Sequence, residues 1–207
     1  MVFSSDSFVV TNPSKTRAAF FVVQNYCECI RRLVLTHFQL LIRGAITTGN
    51  FYICDNILFG PAVVEAVSKD VSGYAPRILV SQKLQKEIEL GQMYVFTDSD
   101  GELCLDMFGL ELAESFASVN GKQNGEQKLK EELLRQRDYV IHLLKKYSKT
   151  KYVSKYLWHA MMFNQHVTEN IFFKNPEMIR EYLIDIPPVY LSATPEANAS
   201  IGHSNAS

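Results

Sequence analysis

A glycine followed by a proline, Gly60-Pro61, separates two segments with opposite patterns in this 207-residue chain. The residues before it are rich in β-branched and aromatic side chains, which favour strands. The residues after it carry apolar side chains at helical spacing, namely Val63, Val64, Ala66 and Val67. Proline fixes φ and needs no backbone donor in the first turn of a helix. The pair therefore predicts a strand that ends at residue 59 and a helix that begins at residue 61.

Elements on both sides of this junction are predicted from similar signals. Residues 40–48 and 50–59 are predicted to be two strands that form a hairpin, with Asp55-Asn56 as its polar tip. Upstream, residues 1–10 are predicted to be one strand around a polar Ser4-Ser5-Asp6-Ser7 insert. Asn12-Pro13 then predicts the start of a helix of about 25 residues, because asparagine caps helices and proline suits their first position.

The chain after the second helix continues with short elements. A strand is predicted over 78–80 and a helix from Gln82 to about Leu90. Asp98-Ser99-Asp100-Gly101 lies between two further apolar segments and predicts a hairpin turn with positive φ. A calcium loop is the alternative, but it needs glycine at its sixth position, and counting from Asp98 puts Leu103 there. The turn is the favoured interpretation.

The last third of the chain has a different, helical character. Helices are predicted from Glu126 to Tyr147 and from Lys151 to Phe173, and together they are expected to form a helical hairpin. Lysines and arginines between residues 128 and 155 could form a phosphate-binding strip, but interleaved acidic residues favour a solvated helix face. The predicted organisation is a core over 1–110, a helical extension over 126–190 and a flexible tail over 192–207.

Charge and cysteine content limit the classes of function. The chain has 21 basic and 22 acidic residues, and this balance predicts neither a nucleic acid nor a membrane as partner. No signal peptide or apolar run of membrane-spanning length is present in the sequence, which predicts a cytoplasmic protein. The cysteines lack metal-ligand spacing and are expected to be buried, reduced thiols: Cys27, Cys29, Cys54 and Cys104.

Three polar or glycine-containing segments interrupt the apolar pattern where backbone could approach a ligand. They are SSDSFVV near the start, RGAITTG from Arg43, and FGPAVVEA from Phe59. In this order, with a helix after the first, they resemble the class III nucleotidyl cyclase domain. FGPA, the APRILVS segment at residues 75–81 and KYLWHAMMFN at residues 155–164 are similar to a bacterial branch that includes the pyrimidine cyclases of antiviral phage defence.

The resemblance implies an α/β fold of the α+β kind. A ferredoxin-like, cyclase-type antiparallel sheet with packed helices is expected, lacking the domain's first strand and followed by the helical hairpin. It also implies a homodimer, a nucleoside triphosphate as ligand, and Mg²⁺ or Mn²⁺ as cofactor. In such cyclases two metal ions assist the ribose hydroxyl in displacing pyrophosphate, and a cyclic nucleotide forms.

The same resemblance assigns candidate site residues. Asp6 matches the second of the family's two metal-binding aspartates, and the first is expected on a strand several tens of residues before it. Arg43 and Arg77 are candidates for contacting phosphate, with structural ion pairs as the alternative role for each. Tyr52 and Phe59, beside Gly60, are candidates for contacting the base, with core packing as the alternative.

Two functions stay open at this point. The chain is expected to be a nucleotidyl cyclase-related protein that forms, or descends from a protein that formed, a cyclic nucleotide. The alternative is a non-catalytic module that keeps the cyclase core for dimerisation or nucleotide sensing, because a fold alone does not establish an activity.

Overall fold

The chain forms two compact units, residues 1–107 and 108–207. The computed structural model describes residues 2–4, 7–13, 16–55, 57–72, 75–89, 95–106, 122–169 and 176–187. Within these residues the fold is mixed α/β, as the sequence predicts.

Short strands and helices alternate in the first unit. The strands are β1 (Val2–Ser4), β2 (Ser7–Val9), β3 (Gly44–Ile46), β4 (Tyr52–Cys54), β5 (Ile57–Phe59), β6 (Ile78–Val80), β7 (Val95–Thr97) and β8 (Leu103–Leu105). The helices are α1 (Arg17–Leu33), which continues as a π-helical turn over Val34–Phe38, α2 (Pro61–Ser72) and α3 (Gln82–Glu87). The predicted helix at Pro61, the strand over 78–80 and the helix at Gln82 are therefore confirmed.

The central sheet has four strands in the order β3-β6-β8-β7. β3 and β6 are parallel, whereas β8 is antiparallel to both β6 and β7. The sheet is therefore mixed, with antiparallel pairing in two of its three contacts. The second predicted hairpin is confirmed, because Val95 pairs with Leu105 across the turn and Gly101 has a φ of +83°.

Helices cover both faces of this sheet. Ile78 and Val80 point to the face on which Phe20 of α1 and Leu84 of α3 complete a buried core. Side chains alternate along a strand, so Leu79 points to the other face, and it is also buried. α2 packs against β3 and β6. Burial on both faces explains why the β6 sequence, Ile-Leu-Val, is entirely apolar.

Three predictions about the first 60 residues are wrong. The single strand over 1–10 is two short strands that pair with each other, β1 and β2. Helix α1 begins at Arg17, where the Thr16 hydroxyl accepts a hydrogen bond from the Ala19 backbone N–H at 3.2 Å. Residues 40–48 and 50–59 do not form a hairpin, because β3 pairs with β6 and the hairpin forms within 52–59. The two strand errors have the same cause, because a local pattern identifies a strand but not its partner.

The second unit contains the predicted helical hairpin. Its helices are α4 (Lys122–Tyr147), α5 (Val153–Glu169) and α6 (Pro176–Tyr182). The rings of Tyr147 and Tyr156 stack at 4.8 Å next to the turn between α4 and α5. At the other end, the Asn164 side chain bonds the Ile184 backbone N–H and carbonyl, both at 2.8 Å, and so holds the segment after α6.

The prediction that all four cysteines are buried, reduced thiols is only partly confirmed. All four thiols are free, and Cys27 and Cys104 are buried, whereas Cys29 and Cys54 are exposed. Burial raises the pKa of Cys27 to about 11 and that of Cys104 to about 12, because a thiolate is poorly solvated there. None of the helices in the described ranges combines the length and apolar character needed to cross a membrane.

Candidate functional site

The RGAITTG and FGPA segments meet where β3 ends and α2 begins, and we call this place the β3–α2 corner. The Thr47 hydroxyl donates to the Ala62 carbonyl at 2.9 Å. A Cβ on Gly49 would lie 3.4 Å from the Ala62 Cβ. A Cβ on Gly60, where φ is +135°, would lie 2.8 Å from the Asn50 carbonyl oxygen. Gly60 is therefore needed because backbone approaches backbone closely here, whereas a Cβ on Gly49 would make an ordinary contact.

A second bond closes the corner from the side of α3. The Thr48 hydroxyl donates to the Glu87 carboxylate at 3.0 Å. At the start of α2, the Ala62 N–H donates to the Asn50 carbonyl at 3.2 Å, so the loop before β4 satisfies one of the helix's free N–H groups. The corner is therefore held by side-chain and backbone bonds that link β3, α2 and α3.

Arg43 lies just before β3 and faces α2. Its Nε is 3.4 Å from the Asp70 Oδ1, and its side chain is 40% exposed. A partly exposed ion pair of this kind contributes at most about 1 kcal/mol, so the guanidinium can exchange one anionic partner for another at little cost. Arg43 is therefore accessible to a phosphate group.

Arg77 lies just before β6 and is almost completely buried, with 6% of its surface exposed. Its guanidinium forms ion pairs with Asp98 and Asp100, both from the turn between β7 and β8. One of its two hydrogen bonds to Asp100 is 3.0 Å long. The contact with Asp100 involves two nitrogens and two oxygens, the bidentate geometry that arginine favours with carboxylates. The structural ion pair, the alternative left open by the sequence, describes this arrangement.

The contact between Arg77 and Asp100 favours the charged form of each group. Burial opposes the charge on Arg77, but the hydrogen bonds to Asp100 and Asp98 outweigh it and raise the pKa of the guanidinium above its ordinary value. The hydrogen bond from Arg77 also lowers the pKa of Asp100 below its usual range. A phosphate that needed Arg77 would have to displace two carboxylates.

Tyr52 and Phe59 face each other across the β4–β5 hairpin. Their rings stack at 5.4 Å with 23° between the planes. They are 56% and 50% exposed, so core packing, the alternative role considered for them, does not describe their position. Within the described residues, β4 and β5 pair only with each other.

Apolar exposure continues from this hairpin onto α2, which contacts β5. Val64 is 66% exposed and Val67 57%, although the sequence places both on the apolar side of the helix. Ile53 and Ile57 of the hairpin are 51% and 66% exposed. We call these apolar side chains the hairpin–helix surface: Tyr52, Ile53, Ile57, Phe59, Val64 and Val67.

A metal site cannot be assembled from the part of the chain that the structure describes. No three His, Cys, Asp or Glu side chains come together there. Asp98 and Asp100 lie side by side, but both bond Arg77 and so do not fit the requirements of a divalent ion. Asp6, the predicted metal ligand, lies outside the described residues.

Four carboxylates with clear roles were not among the candidates from the sequence. Asp70 pairs with Arg43, Asp98 and Asp100 hold Arg77, and Glu87 accepts from Thr48. Only the Asp98–Gly101 turn gave any signal, and it indicated a turn without indicating a partner. The distance of 21 residues between Arg77 and Asp98 explains why no local pattern reveals the pair.

The Arg43–Asp70 stretch is thus a folded corner with one accessible arginine, and Arg77 is committed to an internal ion pair. We compared the chain with protein-family models, with curated proteins and with solved structures, and none of the three comparisons found a match.

Proposed function

We propose that this chain is a nucleotidyl cyclase-related protein with a cyclase-type core, and that it works as a homodimer that binds a nucleoside triphosphate with Mg²⁺ or Mn²⁺. The observation that carries the proposal is the β3–α2 corner. Two of the segments on which the resemblance rests, RGAITTG and FGPA, are in direct contact, through Thr47 and Ala62 and through Gly49 and Ala62.

The position of Arg43 supports a phosphate contact beside this corner. Its guanidinium is partly exposed and forms an ion pair with Asp70 at 3.4 Å. Arg77 is less suited to that role because Asp98 and Asp100 engage it in the interior. In this proposal Arg43 contacts the triphosphate, Asp6 contributes a carboxylate to the metal–nucleotide complex, and Arg77 positions the sheet.

The hairpin–helix surface supports the homodimer. Exposed apolar patches on proteins mark interaction sites, and an isolated two-stranded hairpin is marginally stable without a covering surface. The stacked pair of Tyr52 and Phe59 gives this surface the aromatic anchors that are enriched at protein interfaces. A two-fold dimer would cover the same patch on both copies, as isologous contacts do.

Self-association can be tested by sedimentation velocity across a range of protein concentrations. The wild-type chain is expected to dimerise, and the double variant Tyr52→Ser/Phe59→Ser is expected to be monomeric. Val22→Ser/Tyr26→Ser is a matched control, because it removes a comparable amount of exposed apolar surface from α1. A monomeric wild type, or equal loss of dimer in both variants, would contradict the homodimer.

Nucleotide binding can be tested by thermal shift and calorimetry with each of the four nucleoside triphosphates in Mn²⁺. Arg43→Ala is expected to weaken binding by about tenfold, the typical value of a charged hydrogen bond. Lys69→Ala is the control, because Lys69 of α2 also forms a partly exposed ion pair, with Glu102 just before β8. If no nucleotide binds, the proposal fails.

Mass spectrometry of the same mixtures distinguishes the two functions that the resemblance leaves open. A cyclic nucleotide and pyrophosphate would establish a cyclase. Binding without product would establish the sensing module, which the engagement of Arg77 by Asp98 and Asp100 favours as the second candidate.

A further inference from the structure

Charge is unevenly distributed along the α4–α5 helical hairpin. From residue 139 to residue 168 the chain has no aspartate and no glutamate, in a protein with 22 acidic residues overall. The same stretch contains the lysines at the end of α4, in the turn and at the start of α5, which we call the lysine tip: Lys145, Lys146, Lys149, Lys151 and Lys155. The interleaved acids that favoured a solvated face are all at residue 138 or before.

The antiparallel arrangement of the two helices brings these lysines together at one end. Tyr147 and Tyr156 stack at 4.8 Å, which fixes the register of α4 against α5 beside the turn. Arg137, ten residues earlier, bonds the Glu181 carbonyl, so α6 contacts α4 about 15 Å along the helix from Tyr147. Glu181 of α6 therefore lies near the middle of α4, away from the lysine tip.

Aromatic rings lie among the lysines at this end. Tyr152 is 46% exposed, and the ammonium groups of Lys151 and Lys155 lie 5.4 and 5.7 Å from the centre of its ring. Lys146 lies 5.3 Å from the centre of the Tyr147 ring. The ring quadrupole favours ammonium groups over its face and so orders flexible lysine side chains near the aromatic surface.

We propose that the lysine tip binds single-stranded nucleic acid. Lysines contact phosphates without reading sequence, and an exposed aromatic side chain offers a face on which an unpaired base stacks. An anionic membrane is a poorer fit, because residues 148–152 are Ser, Lys, Thr, Lys and Tyr, and a membrane-surface helix needs an apolar face to insert. The apolar side chains of these helices, such as Leu144 and Leu157, are buried in the hairpin instead. The overall net charge of −1 does not reveal this local concentration of positive charge.

The test is fluorescence anisotropy of a labelled single-stranded RNA of about 20 nucleotides with the full chain, because typical sites cover about 4 to 16 nucleotides. Affinity should fall as salt rises from about 50 to about 200 mM. The slope of log K against log salt should reach about −3.5 if all five lysines contact phosphate. Lys149→Glu/Lys151→Glu should weaken binding at least about tenfold and make the slope shallower by about 1.4.

Two further variants separate the tip from general charge and the ring from its hydroxyl. Lys128→Glu/Lys130→Glu makes the same change of charge in the first half of α4 and should weaken binding much less. Tyr152→Ala should weaken it about fivefold or more through lost stacking, and Tyr152→Phe should not.

Three results would overturn the proposal. One is no RNA binding at low salt, and another is equal weakening by the tip variant and its control. The third is binding to vesicles that contain anionic lipid without binding to RNA, which would identify a membrane surface.

Discussion

The β4–β5 and β7–β8 hairpins of the first unit have similar strands and turns but different environments. β4–β5 and β7–β8 each pair three residues with three, and an aspartate follows the first strand in both. In the second, Leu103, Cys104 and Leu105 are all buried, and the turn residues Asp98 and Asp100 hold Arg77. In the first, all three residues of β4 are exposed.

The difference shows that position in the sheet, more than sequence pattern, decides what a hairpin does. β8 lies between β6 and β7, so both its edges are paired, and its three side chains are buried. In the described residues, β4 and β5 pair with no other strand, and they present Tyr52 and Phe59 to the surface. The β4–β5 hairpin therefore has an exposed apolar surface, whereas the β7–β8 hairpin is part of the buried core.

The largest expected loss of stability comes from removing the buried ion pairs between Arg77 and the turn of the β7–β8 hairpin. Arg77→Met should lower the free energy of unfolding by about 3 to 5 kcal/mol, because it leaves the Asp98 carboxylate buried without its partner. Urea unfolding followed by circular dichroism measures the loss. Adding Asp98→Asn should restore part of it, since the uncompensated charge is removed. A loss below about 1 kcal/mol would mean that the pairs behave like surface ion pairs.

The next effect concerns the connection of the exposed hairpin to α2. Gly60→Ala should destabilise the chain by about 1 to 3 kcal/mol, because φ is +135° and the new Cβ would meet backbone atoms of Asn50 and Phe51. The matched control is Gly44→Ala in β3, where a Cβ would meet nothing within 4 Å. Equal unfolding midpoints for the two variants would contradict the close packing at the β3–α2 corner.

Removing the exposed aromatic pair should affect stability less. Tyr52→Ser/Phe59→Ser should lower the free energy of unfolding by about 1 kcal/mol, the value of a stacked aromatic pair, when measured at concentrations where the chain is monomeric. The same variant should abolish self-association. A loss as large as that of Arg77→Met would show that this hairpin is also part of the core.

The smallest expected effect is the pH dependence of the stability that Asp100, in the turn between β7 and β8, contributes. The pKa of Asp100 is lowered in the folded state by Arg77, so the stability that this carboxylate contributes is present above its ordinary pKa of about 3.9. That stability is lost as the pH falls through the lower, folded value. Between pH 7 and about pH 3, Asp100→Asn should therefore lose less stability than the wild type. Equal losses of stability in Asp100→Asn and the wild type over this range would contradict the effect.

Signals that act within a few residues predicted most of the secondary structure. The Gly60-Pro61 pair placed the start of α2, Asp100-Gly101 placed the second turn, and helical spacing placed α4 and α5. The start of α1 was missed because the cap is Thr16, four residues after Asn12. Predicting a hairpin from residues 40–48 and 50–59 failed because β3 finds its partner in β6, more than 30 residues along the chain.

The same distinction between local signals and tertiary contacts applies to the candidate site. Arg43, Gly60 and the corner between their segments follow from motifs in the sequence, because glycine is needed wherever backbones approach closely. The sequence left an ion pair open for Arg77 but did not identify its partners. It also did not predict the exposure of Tyr52, Phe59, Val64 and Val67, or the grouping of lysines at one end of the helical hairpin. These features depend on which elements pack together, and packing joins residues that are distant in the chain. The sequence alone determined the elements and their turns, and the tertiary structure decided which charges are buried and which surfaces are free to bind.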